Sequence, residues 1–431
     1  MPYSAARRDR SVRRIRSARL AAAVALSLCF SLSAAHSAAP PLYERLAPSS
    51  RSLDPSALQA AEIAIDVGVL AGADELALDL FDTVPTFRRV DLETRAPGDL
   101  VWRGTADDSG QATLTLRHGF VAGYVTLGTR AFEIAIEAAG QLLIEIESDG
   151  FAPCAHEHHA DPPRGLPPMP EDFADRRSGD RGALVNIDLM SLYTPQARDA
   201  AGGVAQIETT IQGAVDISNT AAINSQSNAR FTLVHTELAN YDDTGDVFAD
   251  RNWVQANAAV NALRDEHSAD LVSLIVDNGG FACGVAFLMG NEDPTAFNPF
   301  GYQVTARSCA VGNLTFPHEH GHNMGLQHNP QNGAPPASAI ALDAYGHYHS
   351  GLYRTVLSYS NPRVGGCTRQ PYFSNPAVSF MSQPTGILNA RHNQRVLDMI
   401  APITADYRSA TEIFTDGFES GDVTAWSSST P

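Results

Sequence analysis

Residues 316–329 read FPHEHGHNMGLQHN, and the spacing of the histidines in this stretch governs how the rest of the chain is read. His318 and His322 are four residues apart. On an α-helix of 3.6 residues per turn they leave one face a turn apart, so both imidazoles can reach one metal ion. Glu319 is rotated by roughly 100° from His318 and can flank such an ion without binding it. A straight continuation of the helix would carry His328 away from that face. Gly325 removes the difficulty, because glycine accepts the left-handed conformation that ends helices and turns the chain back. The expected centre is thus a zinc ion held by His318, His322 and His328, with a fourth tetrahedral position open for water and Glu319 as general base.

The pattern H-E-x-x-H-x-x-G-x-x-H is specific. With 14 His and 33 Gly in 431 residues, independent placement produces it in fewer than about one chain in ten thousand. Zinc sites completed by a downstream glutamate are disfavoured, since no glutamate lies between Glu319 and Glu412. Asp343, in ALDAYG, is the candidate for a class that uses aspartate, and the presence of Gly325 and His328 argues against it.

Working outward, the segments flanking the motif alternate in type. ALVNIDLMSLYTP (183–195) reads as a strand, and Ala201, Val204, Ile207, Ile211 and Val215 mark one apolar stripe of a helix running to Asn224. ARFTLVHTEL (229–238) reads as a strand, NWVQANAAVNALRDEH (252–267) as a helix, and DLVSLIVDN (270–278) as a strand buried on both faces. That order implies an α/β layer. Upstream, AEIAIDV, GQATLTL, GYVTL and FEIAIEAAGQLLIEIE are short alternating strands, so 39–152 is read as a small, mainly β propeptide.

The remaining boundaries come from composition. Residues 1–38 carry seven arginines and then the apolar run AAAVALSLCFSLSAA, the pattern of a secretory signal peptide, too short for a membrane anchor. Residues 153–182 are rich in proline, glycine and charge and are read as a linker with a processing site near Arg176, Arg177 and Arg181. The catalytic domain is placed at 183–410 and an acidic C-terminal tail at 411–431. The formal charge is −18 and the chain contains no lysine, which excludes nucleic acid as a natural partner. The expected product is a monomer secreted to the periplasm or medium, with no stable membrane anchor, acting on protein or peptide substrates. Cys29 leaves with the signal, and Cys154, Cys283, Cys309 and Cys367 remain in an oxidising compartment, with three full pairings open.

At these residues the chain resembles the metzincins, and more narrowly the bacterial reprolysin-like peptidases, a group that includes peptidyl-Asp metalloendopeptidases. The resemblance covers roughly 183–408 and rests on LYTPQAR, SADLVSLI, CGVAFL, the zinc motif and YFSNP. It implies an α/β (α+β) catalytic domain with a twisted, mostly parallel five-stranded sheet, the active-site helix, and a substrate strand added to an edge near Val285–Gly290. It also implies a disulfide between Cys283 and Cys309. Leu357, in YRTVLSYSNP, stands where the family's methionine turn is expected, a swap that a packed site tolerates for less than about 1.5 kcal/mol. Tyr359 matches a tyrosine that some branches bring to the zinc as a transition-state donor, with a packed turn residue as the plainer reading. Cys154, in FAPCAHEHH, stands where a propeptide cysteine can hold the zinc in a latent state; a disulfide with Cys367 is the alternative. His347 and His349 lack a completing ligand set, and calcium is a second cation left open. Cleavage beside acidic residues follows from the resemblance alone, with Arg307 or Arg354 as candidate acid-binding groups. Two readings compete with a secreted zinc endopeptidase: a zinc-binding pseudoenzyme acting as a binding module, and a zinc hydrolase of a non-peptide bond. Retention of Glu319 argues against the first, because zinc binding alone needs no base.

Overall fold

The computed structural model describes residues 39–49, 54–107, 109–155, 166–167, 183–360 and 367–408. The expected signal peptide, most of the linker with Arg176, Arg177 and Arg181, His156, His158 and His159, and the C-terminal tail lie outside the described residues.

The N-terminal part is one nine-stranded antiparallel sheet. Its strands are β1 (Tyr43–Pro48), β2 (Ala57–Ile65), β3 (Glu75–Ala77), β4 (Thr86–Ala96), β5 (Asp99–Ala106), β6 (Gly110–Arg117), β7 (Phe120–Leu127), β8 (Arg130–Glu137) and β9 (Gly140–Ile146), with a short helix α1 (Val67–Gly72) between β2 and β3. Their order is β1-β2-β9-β8-β7-β6-β5-β4-β3. Short hairpins join β4 through β9 in sequence, and β2 pairs antiparallel with β9 to complete the order. Between β6 and β7, for example, His118 and Gly119 have φ of 52° and 82°, the pair of left-handed residues that a two-residue turn needs to match strand twist. Leu76, Phe87, Trp102, Leu114, Val125, Phe132 and Leu143 form an apolar core on this sheet.

The C-terminal part is built on a five-stranded sheet of order β11-β10-β12-β14-β13. Here β10 (Val185–Tyr193), β11 (Ala229–Leu238), β12 (Leu271–Val276) and β14 (Tyr302–Ala306) are parallel, and β13 (Gly284–Ala286) pairs antiparallel with β14 at the edge. Helices α2 (Pro195–Ala201), α3 (Val204–Asn224), α6 (Thr315–Asn323) and α7 (Asn393–Thr404) share one core with residues of β10 and β12. Residues of α4 (Val247–Ala256) and α5 (Ala258–Glu266) join a second core with β12 and β14. Every residue of β12 is buried, as its unbroken apolar run requires.

Two local expectations are corrected. Val204 is 48% exposed while Ile207, Ile211 and Val215 are buried, because α3 begins at Val204 and its first residue precedes the buried stripe. The segment 252–267 is two helices rather than one. Asn257 is extended (φ −73°, ψ 120°) and its side chain accepts from the Ala259 and Val260 amides, so it ends α4 and caps α5.

The two parts are packed together by polar groups along α3. The Arg95 guanidinium donates to both Asp216 carboxylate oxygens, at 2.9 and 3.1 Å, and Thr115 donates to the same carboxylate at 2.7 Å. A Cβ added at Gly213 would lie 2.7 Å from the Ala122 methyl, so glycine there permits the close approach of α3 to β7.

Candidate metal centre

Helix α6 carries the zinc motif into the interior, where His318, Glu319 and His322 are all buried. Met324 ends the helix and Gly325 follows at φ +81°. The Leu326 amide then donates to the Gly321 carbonyl at 2.9 Å, closing the turn that returns His328. A Cβ on residue 325 would stand 2.7 Å from Ile340 Cγ2, so both backbone and space demand glycine.

The three imidazoles converge through Nε2. The separations are 3.1 Å between His318 and His328, 3.1 Å between His318 and His322, and 2.9 Å between His322 and His328. Each Nδ1 faces a backbone carbonyl: Val356 at 2.8 Å from His318, Leu326 at 2.8 Å from His322, and Asn332 at 3.1 Å from His328. Those carbonyls place the proton on Nδ1 and leave each Nε2 with a bare lone pair. Three such lone pairs so close repel one another unless a cation lies between them. A tetrahedral ion with metal–nitrogen bonds of about 2.0–2.1 Å sets its nitrogens about 3.3 Å apart, which these positions fit closely. Burial, with His322 beside it, also holds the His318 pKa well below the usual imidazole range.

Glu319 is fully buried next to this centre. Burial pushes its pKa up to about 8, opposed by the Cys154 thiol and the charges of Arg369 and Arg251. Its carboxylate fits because position 284 is glycine: a Cβ there would lie 2.9 Å from Oε1. His320, on the other side of α6, contacts Ser273 Oγ at 2.8 Å and takes no part in the cluster.

Cys154 completes the constellation. Its thiol and the three histidine nitrogens all lie within 4.8 Å of one another, the one such group of metal-binding side chains among the described residues. Calcium therefore gains no support. Neither Cys154 nor Cys367 is in a disulfide; the Cys367 thiol contacts the His349 carbonyl at 3.8 Å. The expected bond between Cys283 and Cys309 is present. The expected linker, 153–182, opens with residues that the structure describes. Pro153–Ala155 is tied to the sheet edge: the Cys283 amide donates to Pro153 O at 2.9 Å and the Ala155 amide to Gly284 O at 2.8 Å. The edge strand itself is Gly284–Ala286, shorter than and slightly upstream of the expected 285–290.

Leu357 is buried beneath α6, its methyl carbons 3.0 and 3.3 Å from the place a Gly321 Cβ would occupy. Tyr359 lies beside the centre, its ring centroid 4.2 Å from that of His328 and its hydroxyl donating to Cys154 O at 3.1 Å. Asp343 is paired with Arg395, away from the histidines. His347 is buried beside Arg391, and its pKa is lowered to about 4 by burial and that guanidinium. Of the candidate acid-binding groups, Arg307 is committed to Glu137 at 3.0 Å and Asp277 at 3.3 Å, whereas Arg354 faces the centre. Arg369, which no motif in the sequence signals, lies beside it.

A buried three-histidine centre with an adjacent glutamate, on a helix under a mostly parallel sheet, defines a metallopeptidase. Residues 184–391 match the family model described as metallo-peptidase family M12B, reprolysin-like. A peptidyl-Asp metalloendopeptidase of Xanthomonas campestris pv. campestris is 25% identical over 368 residues, covering 80% of this chain and 84% of that protein. Another, of Stenotrophomonas maltophilia, is 26% identical over 318 residues, covering 70% and 73%. A third, of Pseudomonas aeruginosa, is 31% identical over 255 residues, covering 54% of this chain and 42% of that longer protein. The chain is thus similar to the reprolysin-like metallopeptidases of these bacteria, and it is a zinc metalloendopeptidase. No helix among the described residues is long and apolar enough to cross a membrane.

Proposed function

We propose that the chain is an exported endopeptidase made as a latent precursor, with zinc held by His318, His322 and His328 and Glu319 as general base. The observation that carries this reading is the convergence of three Nε2 atoms beside a buried carboxylate. When bound, zinc polarises the scissile carbonyl and lowers the pKa of the attacking water. Glu319 takes that water's proton and delivers it to the leaving amine, so no covalent enzyme intermediate forms. Val356, Leu326 and Asn332 hold the imidazole orientation. Tyr359 stands where its hydroxyl can donate to the developing oxyanion once Cys154 is gone. The substrate adds as a strand to β13, the edge that Pro153–Ala155 covers in the precursor.

Latency follows from the same residues. The segment 39–152 is the propeptide and Cys154 the group that fills the open zinc position, since thiolate is a strong zinc ligand. Residues 1–38 direct export, and cleavage in 156–182 frees the site. Three relatives carry the name peptidyl-Asp metalloendopeptidase, and we take bonds flanking aspartate as the preferred substrates.

The test is zinc content and caseinolytic activity of the secreted protein, wild type against Glu319→Ala and Cys154→Ala. Glu319→Ala is expected to keep one zinc and lose about 1,000-fold or more in kcat. Cys154→Ala is expected to show activity before processing. Equal activity in wild type and Glu319→Ala would remove Glu319 from the mechanism.

A further inference from the structure

Two arginines are buried beside the metal centre in an unusual way. Strands β15 (Tyr348–His349), β16 (Tyr353–Arg354) and β17 (Thr368–Arg369) form a small sheet in which β16 and β17 are parallel and Arg354 pairs in register with Arg369. Register partners on neighbouring strands share a face, so both guanidiniums project together. Arg354 is 4% exposed and Arg369 6%. Among the described residues neither forms an ion pair, and Nε of each has no hydrogen-bond partner. Arg354 donates to the Ser148 carbonyl at 3.2 Å and Arg369 to the Asn313 carbonyl, bonds to neutral groups. Buried Arg307 is matched by Glu137 and Asp277, and Arg103 by Asp91; Arg264 also donates to carbonyls, but it does not share a cavity with a second guanidinium at the metal centre as Arg354 and Arg369 do. Two unmatched cations side by side are unfavourable in a low-dielectric interior. Burial, and then Arg354 itself, press the Arg369 pKa down.

Both guanidiniums line a cavity of about 390 Å³ that reaches His318 and Tyr359. One wall of it comes from the N-terminal part, through Asp149, Phe151 and Cys154. Asp149 is the acidic residue of that wall, and its charge acts on Arg354 against the effect of burial. The segment 149–154 thus brings a carboxylate into the cavity that Arg354 and Arg369 line and a thiol to the histidines at once.

We infer that Arg354 and Arg369 form the subsite for an acidic substrate side chain, and that Asp149 supplies the carboxylate of this subsite in the precursor. The inference rests on the peptidase reading above and adds the specificity-determining residues. A carboxylate has two acceptor oxygens and the pair offers two planar guanidiniums, so an aspartate can bridge both while its peptide stays at His318. An amide of the same shape brings no charge, and discrimination against it is electrostatic.

The experiment uses the full-length chain after activation and quenched peptides identical except for Asp, Asn or Leu at each position flanking the scissile bond. Wild type is expected to prefer Asp to Asn at one position by about 100-fold in kcat/KM. Arg354→Gln and Arg369→Gln are each expected to lower that ratio at least about tenfold, and Arg369→Lys to retain more of it than Arg369→Gln. A structural loss would lower both rates and leave the ratio unchanged, and an unchanged ratio overturns the inference. Should the arginine variants not fold, wild type decides through inhibition by the peptide of residues 148–155 with Cys154 replaced by serine. The Asp149 peptide is expected to bind at least about tenfold tighter than its Asp149→Asn form; equal inhibition overturns the inference. Wild type that cuts peptides without preferring Asp sinks only this subsite. Zinc-loaded wild type that cuts no peptide sinks the peptidase reading instead.

Discussion

At the residue scale the centre depends on backbone as much as on ligands. Gly325 holds φ +81° with Ile340 close to where a Cβ would sit, and that turn alone brings His328 back to a helix that carries the other two histidines. Gly325→Ala is expected to cost about 1–2 kcal/mol from the left-handed conformation, with a further loss from the contact at Ile340. The site should loosen before the fold does. Zinc affinity, measured by competition with a chelator, is expected to fall about 10- to 100-fold, the size of effect seen when ligand orientation is disturbed. Unchanged affinity would mean that His328 is held by its Asn332 contact rather than by the glycine turn. Leu357 makes the same point from beneath: it is one residue after Val356, whose carbonyl orients His318, so its packing under Gly321 fixes a hydrogen bond as well as filling space.

At the scale of elements, buried carboxylates tie strand ends together. Asp270, just before β12, accepts from the Asp188 amide of β10 at 2.8 Å and from the Arg408 amide beyond α7 at 3.2 Å. Burial pushes its pKa from 3.8 up to about 6. A carboxyl whose folded-state pKa is raised contributes stability that is present below about pH 4 and is lost as pH rises to about 6, because the native state then holds a charge that the unfolded chain carries at no cost. Asp270→Asn removes this dependence. In a Glu319→Gln background, which on the proposed mechanism cannot cleave itself, the chain with Asp270 intact is expected to gain up to about 3 kcal/mol relative to its Asp270→Asn variant between pH 7 and pH 4. Urea midpoints at the two pH values check it, and a pH-independent difference would assign the shift elsewhere. Element boundaries follow similar local chemistry: Asn257 separates α4 from α5 because its side chain satisfies the amides that a continuous helix would have bonded to its own carbonyls.

For the whole molecule, the N-terminal sheet and the peptidase part share an interface centred on Asp216, which is 1% exposed and accepts from Arg95, Thr115 and Gln212. Removing Arg95 leaves a buried carboxylate without its cation. Arg95→Leu is therefore expected to destabilise the uncleaved chain by about 3 kcal/mol, and Asp216→Asn in the same chain to recover part of the loss. Calorimetry on the Glu319→Gln precursor reads the melting shift. If the N-terminal sheet holds the peptidase latent, Arg95→Leu in the active chain should also shorten the lag before caseinolytic activity appears. An unchanged lag with a lowered melting temperature would separate stability from latency.

Much of this protein was legible in the sequence because its decisive signals are local. The spacing of His318, His322 and His328 with Gly325 between them encodes a helix, a break and a return, and each step follows from backbone geometry within a dozen residues or so. The alternation of β6 to β9 and the unbroken apolar run of β12 likewise reported which faces are covered. What the sequence could not report depends on residues distant along the chain becoming neighbours. Val204 has the right spacing for the buried stripe of α3 and is exposed, because the point where a helix emerges from its neighbours is not a property of the helix. Cys154 was ambiguous between Cys367 and the zinc until the edge of β13 placed it against the histidines. Arg354 and Arg369 are two ordinary arginines in sequence. Only the parallel register of two short strands aligns them on one face of one cavity, and tertiary burial removes the solvent that would otherwise have screened them.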